Sequence, residues 1–134
     1  EIRFYYGAYP GWNSDLENDS TGIGLAILPR DRFAAIEPTD AIAQVTLKSI
    51  QLRNVKRVTI NADATDGDVR VELLTAEGYR VAGYTRNQSV IITGNSFRHP
   101  VNWKRKTMAD LAAGRYQLRL HLKNARLFAL TIQR

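Results

Sequence analysis

The 134-residue chain contains no cysteine, one methionine and only two histidines, His99 and His121. Without thiols there is no disulfide, no thiolate zinc site and no cysteine nucleophile. Two histidines are too few for a histidine-rich metal centre. No apolar run approaches the ~20 residues that a membrane-spanning helix needs, so no membrane is expected as a partner. No glycine-arginine repeat and no low-complexity basic tail is present, so nucleic acid is not an expected partner either. Helical periodicity is nearly absent. Its best instance runs from Thr107 to Ala113, one or two turns, with Gly114 suited to cap its C-terminus.

What the chain does contain is alternation. Hydrophobic residues make up 44% and charged residues 24%, a balance that rules out disorder, and the length fits one main domain. Val69, Val71 and Leu73 alternate with Arg70, Glu72 and Leu74. Tyr116, Leu118, Leu120 and Leu122 alternate with Gln117, Arg119, His121 and Lys123, and Phe128, Leu130 and Ile132 follow the same rule. A period of two marks a half-buried strand with one wet face. Further strands are expected at 2–6, 23–28, 32–36, 43–52, 57–62 and 89–93. Asp66-Gly67, Glu77-Gly78 and Thr93-Gly94-Asn95 carry turn chemistry between such runs. Lys123-Asn124-Ala125 is short enough to join the last two long strands as a hairpin. Many short strands with regular turns point to an antiparallel sandwich. Residues 7–21, rich in Gly, Pro, Asn, Asp and Ser, read as the long tip of a separate N-terminal hairpin. The chain opens directly on strand-like residues, Glu1 to Tyr6, and a processed chain or excised fragment is expected on that ground.

The net charge of +6 is unevenly placed. Residues 1–22 carry −3, residues 23–97 carry +1, and residues 98–134 carry +8, with Asp110 the only acid in that last stretch. Such a basic segment would suit an anionic polysaccharide or an acidic protein face, and on one strand Arg115, Arg119 and His121 form the row to carry it. The competing reading is an ordinary solvated face.

Six stretches together resemble a known family. "EIRFYYGAY" (1–9) and "GIGLAILPRDRF" (22–33) resemble the last blade strands of five-bladed propeller glycosidases, the levanase and invertase clan, where a "YYGG" strand precedes one reading "IGLA…RDGF". Ala8 and Arg32 stand where glycines are common there. "VTINAD" (58–63), "VRVELL" (69–74), "SFRHPVNW" (96–103) and "LRLHLKNARLFA" (118–129) follow, in order, patterns of the β-sandwich that trails the propeller. The resemblance implies an all-β fold, a two-sheet antiparallel β-sandwich of jelly-roll, concanavalin A-like type (32–134), preceded by a β-hairpin (1–31) that resembles the end of a propeller blade. It implies a non-catalytic accessory module, with the catalytic carboxylates on earlier blades and the propeller as its partner. A secreted or periplasmic location is implied by the resemblance alone. Two alternatives stay open: a free-standing carbohydrate-binding module and a domain that binds a polyanion, either an anionic polysaccharide or nucleic acid.

Candidate chemistry is sparse. A sugar stacks its C–H face on a flat ring, so Tyr9, Trp12 and Trp103 are the candidate carbohydrate-binding residues, with Trp103 better suited to a sandwich-core or interdomain anchor. Paired carboxylates for glycoside hydrolysis could be nominated as Asp31 with Glu37 or Asp63 with Glu72, but no spacing selects either. Ser96, His99 and Asp110 could be assembled as a triad, yet no nucleophile-elbow glycines flank Ser96. His99, before Pro100, reads better as a hydrogen-bonded structural residue. No organic cofactor is expected. Calcium is the one metal that the alternating carboxylates of Asp15, Glu17 and Asp19, or of Asp63, Asp66 and Asp68, would suit, against the plainer reading of solvated acidic tips. Asn18-Asp19-Ser20 and Asn87-Gln88-Ser89 match the glycosylation sequon, a pattern too common to assign anything.

Overall fold

A computed structural model describes residues 1–8 and 22–134 of the chain. They fall into two units, Glu1–Phe33 and Ala34–Arg134; the sequence reading drew its division after Asp31.

In the first unit, β1 (Ile2–Ala8) pairs antiparallel with β2 (Gly22–Leu28), from Ile2 opposite Leu28 to Ala8 opposite Gly22. Strand alternation puts Phe4 and Tyr6 on one face and Tyr5, Ile23, Leu25 and Ile27 on the other. Tyr6 lies across Gly24, where even a Cβ would come within 2.3 Å of the ring. Phe33 packs on Phe4 with ring centroids 5.9 Å apart.

The second unit is built on one long strand. The runs expected at 57–62 and 69–74 are a single strand, β5 (Arg57–Thr75). Asp66-Gly67, expected as a turn, is a bend inside it. Irregular pairing explains how one strand spans both halves: the register slips just before Ala62 against both neighbours, and again between Ala64 and Val69 against one of them. Such bulges bend a strand and increase its twist. The remaining strands are β3 (Ile42–Thr46), β4 (Ile50–Leu52), β6 (Ile92–Pro100), β7 (Gly114–Lys123) and β8 (Arg126–Gln133). Together they form one hydrogen-bonded antiparallel sheet of six strands, in the order β3-β7-β5-β6, with β4 also on β7 and β8 also on β5.

The expected hairpin of the last two strands is corrected. Both β7 and β8 pair with β5, end to end: Tyr116–Lys123 runs along Thr75–Asp68, and Arg126–Gln133 continues along Asp63–Arg57. Residues 124–125 pass the bend of β5 rather than reversing the chain. Asn124 takes a left-handed φ of 42° there, and its N–H bonds to Ala41 O at 2.8 Å. Asparagine tolerates that conformation better than most residues.

Other expectations shift at their edges. The strand expected at 43–52 is interrupted between β3 and β4, although Leu47 N–H still reaches Leu118 O at 2.9 Å. No strand forms at 32–36; Ile36 makes a lone two-way bridge with Leu127. The strand expected at 89–93 begins later, and Thr93-Gly94-Asn95 lies inside β6, with Gly94 at φ 79°. Glu77-Gly78 is the turn it was read to be, with Gly78 at φ 92° and its N–H on Thr75 O. The helix expected at 107–113 is a single 3-10 turn, Met108–Asp110, held by Thr107 N–H and Oγ1–H donating to Asp110 Oδ2 at 2.8 and 2.9 Å. Gly114 is no helix cap; it opens β7.

The core is the apolar side of this sheet. Val58, Ile60, Ala62, Ala64, Val69, Val71 and Leu73 of β5 meet Leu118, Leu120 and Leu122 of β7, all fully buried. Each buried Leu, Ile or Val contributes about 1.5–3 kcal/mol against the exposed state. Trp103 closes one end. The last β5 pairing with β6 is Val69 with Ile92, so beyond it the outward backbone groups of Val71 would be buried without partners. Ser89 Oγ accepts Val71 N–H at 3.0 Å, and Trp103 Nε1–H donates to Val71 O at 3.0 Å. A buried backbone group left unpaired is costly, and these two side chains replace the missing strand.

Candidate functional site

On the other face of the sheet sits one carboxylate that no solvent reaches. Glu72 follows Val71 on β5, so alternation turns it away from the core, yet its side chain is 0% exposed. Register places it directly opposite Arg119 of β7 and diagonal to His121, which faces Arg70. Outside β7, Thr46 and Gln44 of β3 continue the same rows. Directly opposed and diagonal pairs on one face of a sheet are within side-chain reach.

The contacts follow. His121 Nε2 lies 3.0 Å from Glu72 Oε1; an ionised carboxylate only accepts, so the ring nitrogen is the donor. Arg119 Nη1 stands 3.5 Å from the same oxygen, while its Nε donates to Thr46 Oγ1 at 2.9 Å. Arg80, on the segment after the Glu77-Gly78 turn, brings Nε to 3.4 Å from Oε2. Burial by itself raises the carboxyl's pKa. The His121 hydrogen bond, the positive charge of His121 and Arg80, and the nearby Arg86 backbone amide outweigh it and hold Glu72 below the usual carboxylate range. Oε2 is thus held by charge, through the Arg80 ion pair, rather than by a well-aligned hydrogen bond. Glu72, Arg80, Thr85, Arg86 and Asn87 line a surface cavity of about 370 Å³ on this side of the sheet.

The sequence-derived candidates among the described residues take separate roles. Trp103 is corrected to a core residue: it is 4% exposed, and Tyr84 stands edge-on to its ring at 5.0 Å, so neither face is free to stack on a sugar. Tyr9 and Trp12 lie outside the described residues, as do Asp15, Glu17 and Asp19. Arg119 and His121, expected in an anion-facing row, share a face on which the Arg119 guanidinium and the His121 ring nitrogen both point at Glu72. Arg115 lies further along the strand, its Nη2 on Ser49 O and Oγ at 3.3 and 3.4 Å.

The nominated catalytic groups each have local partners of their own. Asp31 pairs with Arg30 in the first unit, and Glu37 with Arg126 in the second. Asp63 Oδ1 accepts from Thr65 N–H and Oγ1–H, and Asp68 pairs with Arg70. Ser96 Oγ accepts Arg98 N–H, His99 Nε2–H bonds Ala62 O, and Asp110 caps its own turn. Among the described residues no group of three His, Asp or Glu side chains could hold a metal ion. Sequence reasoning named Glu72 only as a possible partner of Asp63 and missed it as the centre of the Arg80, Arg119 and His121 cluster. The signal was a lone acid between two core valines and leucines, facing a strand whose wet positions are Arg119 and His121.

No protein-family model, curated protein or solved structure matches this chain.

Proposed function

We propose that the chain is a non-catalytic accessory module of a glycoside hydrolase-like protein, which uses its N-terminal hairpin to dock on a propeller domain and stabilise it. The observation that carries this reading is the hairpin's composition. Tyr5, Ile23 and Ile27 are 67%, 82% and 53% exposed on one face, and Phe4 and Tyr6 are exposed on the other. A two-stranded hairpin is marginal by itself in water. Strands apolar on both faces are the pattern of a sheet covered on both sides. The two stretches that resemble blade strands and the four that resemble the trailing sandwich support the same assignment.

We read the second unit as a jelly-roll sandwich. Support comes from the bend of β5: the paired ribbon of β5 with β7 and β8 crosses the same bulges, and a long ribbon folded over itself makes two layers. The free-standing carbohydrate-binding module is the weaker reading, since Trp103 has no free face and the other two ring candidates, Tyr9 and Trp12, lie outside the described residues.

Amide hydrogen exchange on the isolated chain tests the docking role. Amides of Ile2–Ala8 and Gly22–Leu28 should exchange at near-unprotected rates while β5 and β7 stay protected. A hairpin protected as strongly as β5 without any partner would overturn the reading.

A further inference from the structure

We propose that one end of the second unit, formed by the β4–β5 connection, the start of β7 and Arg134, is a binding surface for an acidic polysaccharide. The surface is separate from the N-terminal hairpin and from the Glu72 cluster.

Exposed cations gather there without an acid. Arg53, Lys56 and Arg134 line one open depression of about 590 Å³ with Gln51 and Asn54. Arg57 follows Lys56 and donates from Nε to Gln133 Oε1, a neutral amide that leaves its charge uncompensated. Arg115 stands opposite Gln51 in the β4–β7 ladder, and its Nη2 reaches Ser49 O and Oγ, again uncharged. None of these cations forms an ion pair with a described acid, whereas Arg70, Arg80, Arg119 and Arg126 each do. The fold keeps the acids at a distance. Glu37, Asp40, Asp63 and Asp66 line a cavity beside the bend of β5. Arg57 pairs with Gln133 at one end of the β5–β8 ladder, and Asp63 pairs with Arg126 at the other. That stretch of strand spans roughly 20 Å. The Debye length at physiological salt is about 8 Å, so the acidic end does not neutralise the basic one.

The partner class follows from the lining. A single exposed ion pair contributes little, so a lone small anion would be held weakly. A chain with repeated negative charges engages several cations at once and gains by multivalency. A folded acidic protein would need an apolar centre to its interface, and none of the exposed large hydrophobic side chains lines this surface. Single-stranded nucleic acid would need rings on which to stack its bases, and no aromatic residue lines it either. A second copy of the chain is disfavoured by charge: residues 34–134 hold 16 Lys and Arg against 8 Asp and Glu, a net of +8, so copies repel. An acidic polysaccharide fits what is present. Arginine forks take its carboxylate or sulfate groups, and the Gln51 and Asn54 amides both donate to and accept from its hydroxyls.

The test is isothermal titration calorimetry of the full chain with polygalacturonate and with dextran sulfate. Neutral dextran, poly-glutamate and duplex DNA serve as comparisons. At least one of the two acidic polysaccharides should bind and neutral dextran should not. Affinity should fall at least tenfold from about 50 to about 200 mM salt. Arg53→Ala combined with Lys56→Ala should weaken binding about tenfold, and Arg115→Ala alone about threefold. Lys123→Ala combined with Arg126→Ala removes the same charge beside the bend and should change affinity by less than about twofold. All these positions are exposed, and thermal unfolding checks that each variant folds. Absence of binding to both acidic polysaccharides overturns the proposal. So does an equal loss in the two double variants, which would make net charge rather than this surface responsible. Tighter binding of poly-glutamate or duplex DNA than of either acidic polysaccharide overturns it as well.

Discussion

Two side chains set most of what can be predicted at the scale of single residues, and they act on opposite faces of β5. Trp103 fills the end of the core and satisfies Val71 O through Nε1. Trp103→Phe keeps most of the volume but orphans a buried carbonyl, and should cost about 1–3 kcal/mol. Trp103→Ala also leaves a cavity against Tyr84 and should cost about 3–5 kcal/mol. Urea unfolding of both variants measures the difference, and equal costs would show that volume alone matters. Glu72 differs in kind, since its partners remain charged when it is neutralised. Glu72→Gln should cost about 2–3 kcal/mol, short of a wholly buried pair because Arg80 and Arg119 reach solvent. The pH dependence has a definite sign. Folding lowers the Glu72 pKa from an ordinary value of 4.5, so its stabilisation is complete above that value. It is lost as pH falls through the depressed folded value, where the carboxylate must be protonated. Wild type should therefore lose stability faster than Glu72→Gln as pH drops below about 4.5. Parallel stability curves across that window would contradict this account.

At the scale of elements, the bend of β5 decides the topology, and Gly67 decides the bend. A Cβ on Gly67 would stand 1.8 Å from Lys123 O, a backbone atom that cannot move aside cheaply. Gly67→Ala should force β5 and the β7–β8 junction apart and cost about 1–3 kcal/mol, the usual range for overpacking. Gly22→Ala is the matched control, because nothing lies within 4 Å of its Cβ position. Equal midpoints for the two variants in thermal unfolding would show that the bend tolerates a side chain. This bend also marks where the sequence stops being legible. Alternation read the core rows of β5 and β7 correctly, because side-chain period depends only on which face is buried. It could not tell a turn from a bulge at Asp66-Gly67, since glycine serves both. Nor could it choose between a hairpin and an end-to-end pair at Lys123-Asn124-Ala125, since that choice rests on the length of a strand elsewhere in the chain. For the candidate site, the rows of β7 were legible and their target was not. Arg119 and His121 looked like a wet basic face because register with Glu72, which neutralises them, is set by the fold. The short helix at Thr107 failed through length: one turn carries too few backbone bonds to outweigh a nearby strand.

At the scale of the whole molecule, the two units differ in how they meet water. Every buried core residue from Leu52 to Leu127 belongs to the second unit. The first unit exposes a row of aromatic and branched side chains instead. Residues 34–134 should therefore fold cooperatively without the hairpin, with a urea m-value near that of the full chain, about 1–2 kcal/mol/M for a domain of this size. Exposed apolar surface of this kind drives association, so the full chain should also self-associate with rising concentration while the shorter chain stays monomeric. Sedimentation velocity on both chains at matched concentrations separates the outcomes. If the shorter chain unfolds non-cooperatively, the hairpin is part of the core and the docking reading loses its basis. If both chains stay monomeric throughout, the apolar rows are too dispersed to form an interface. If only the full chain associates, and replacing Tyr5, Ile23 and Ile27 with threonine abolishes that association without changing the unfolding midpoint, then the hairpin carries adhesive surface that the fold itself does not need.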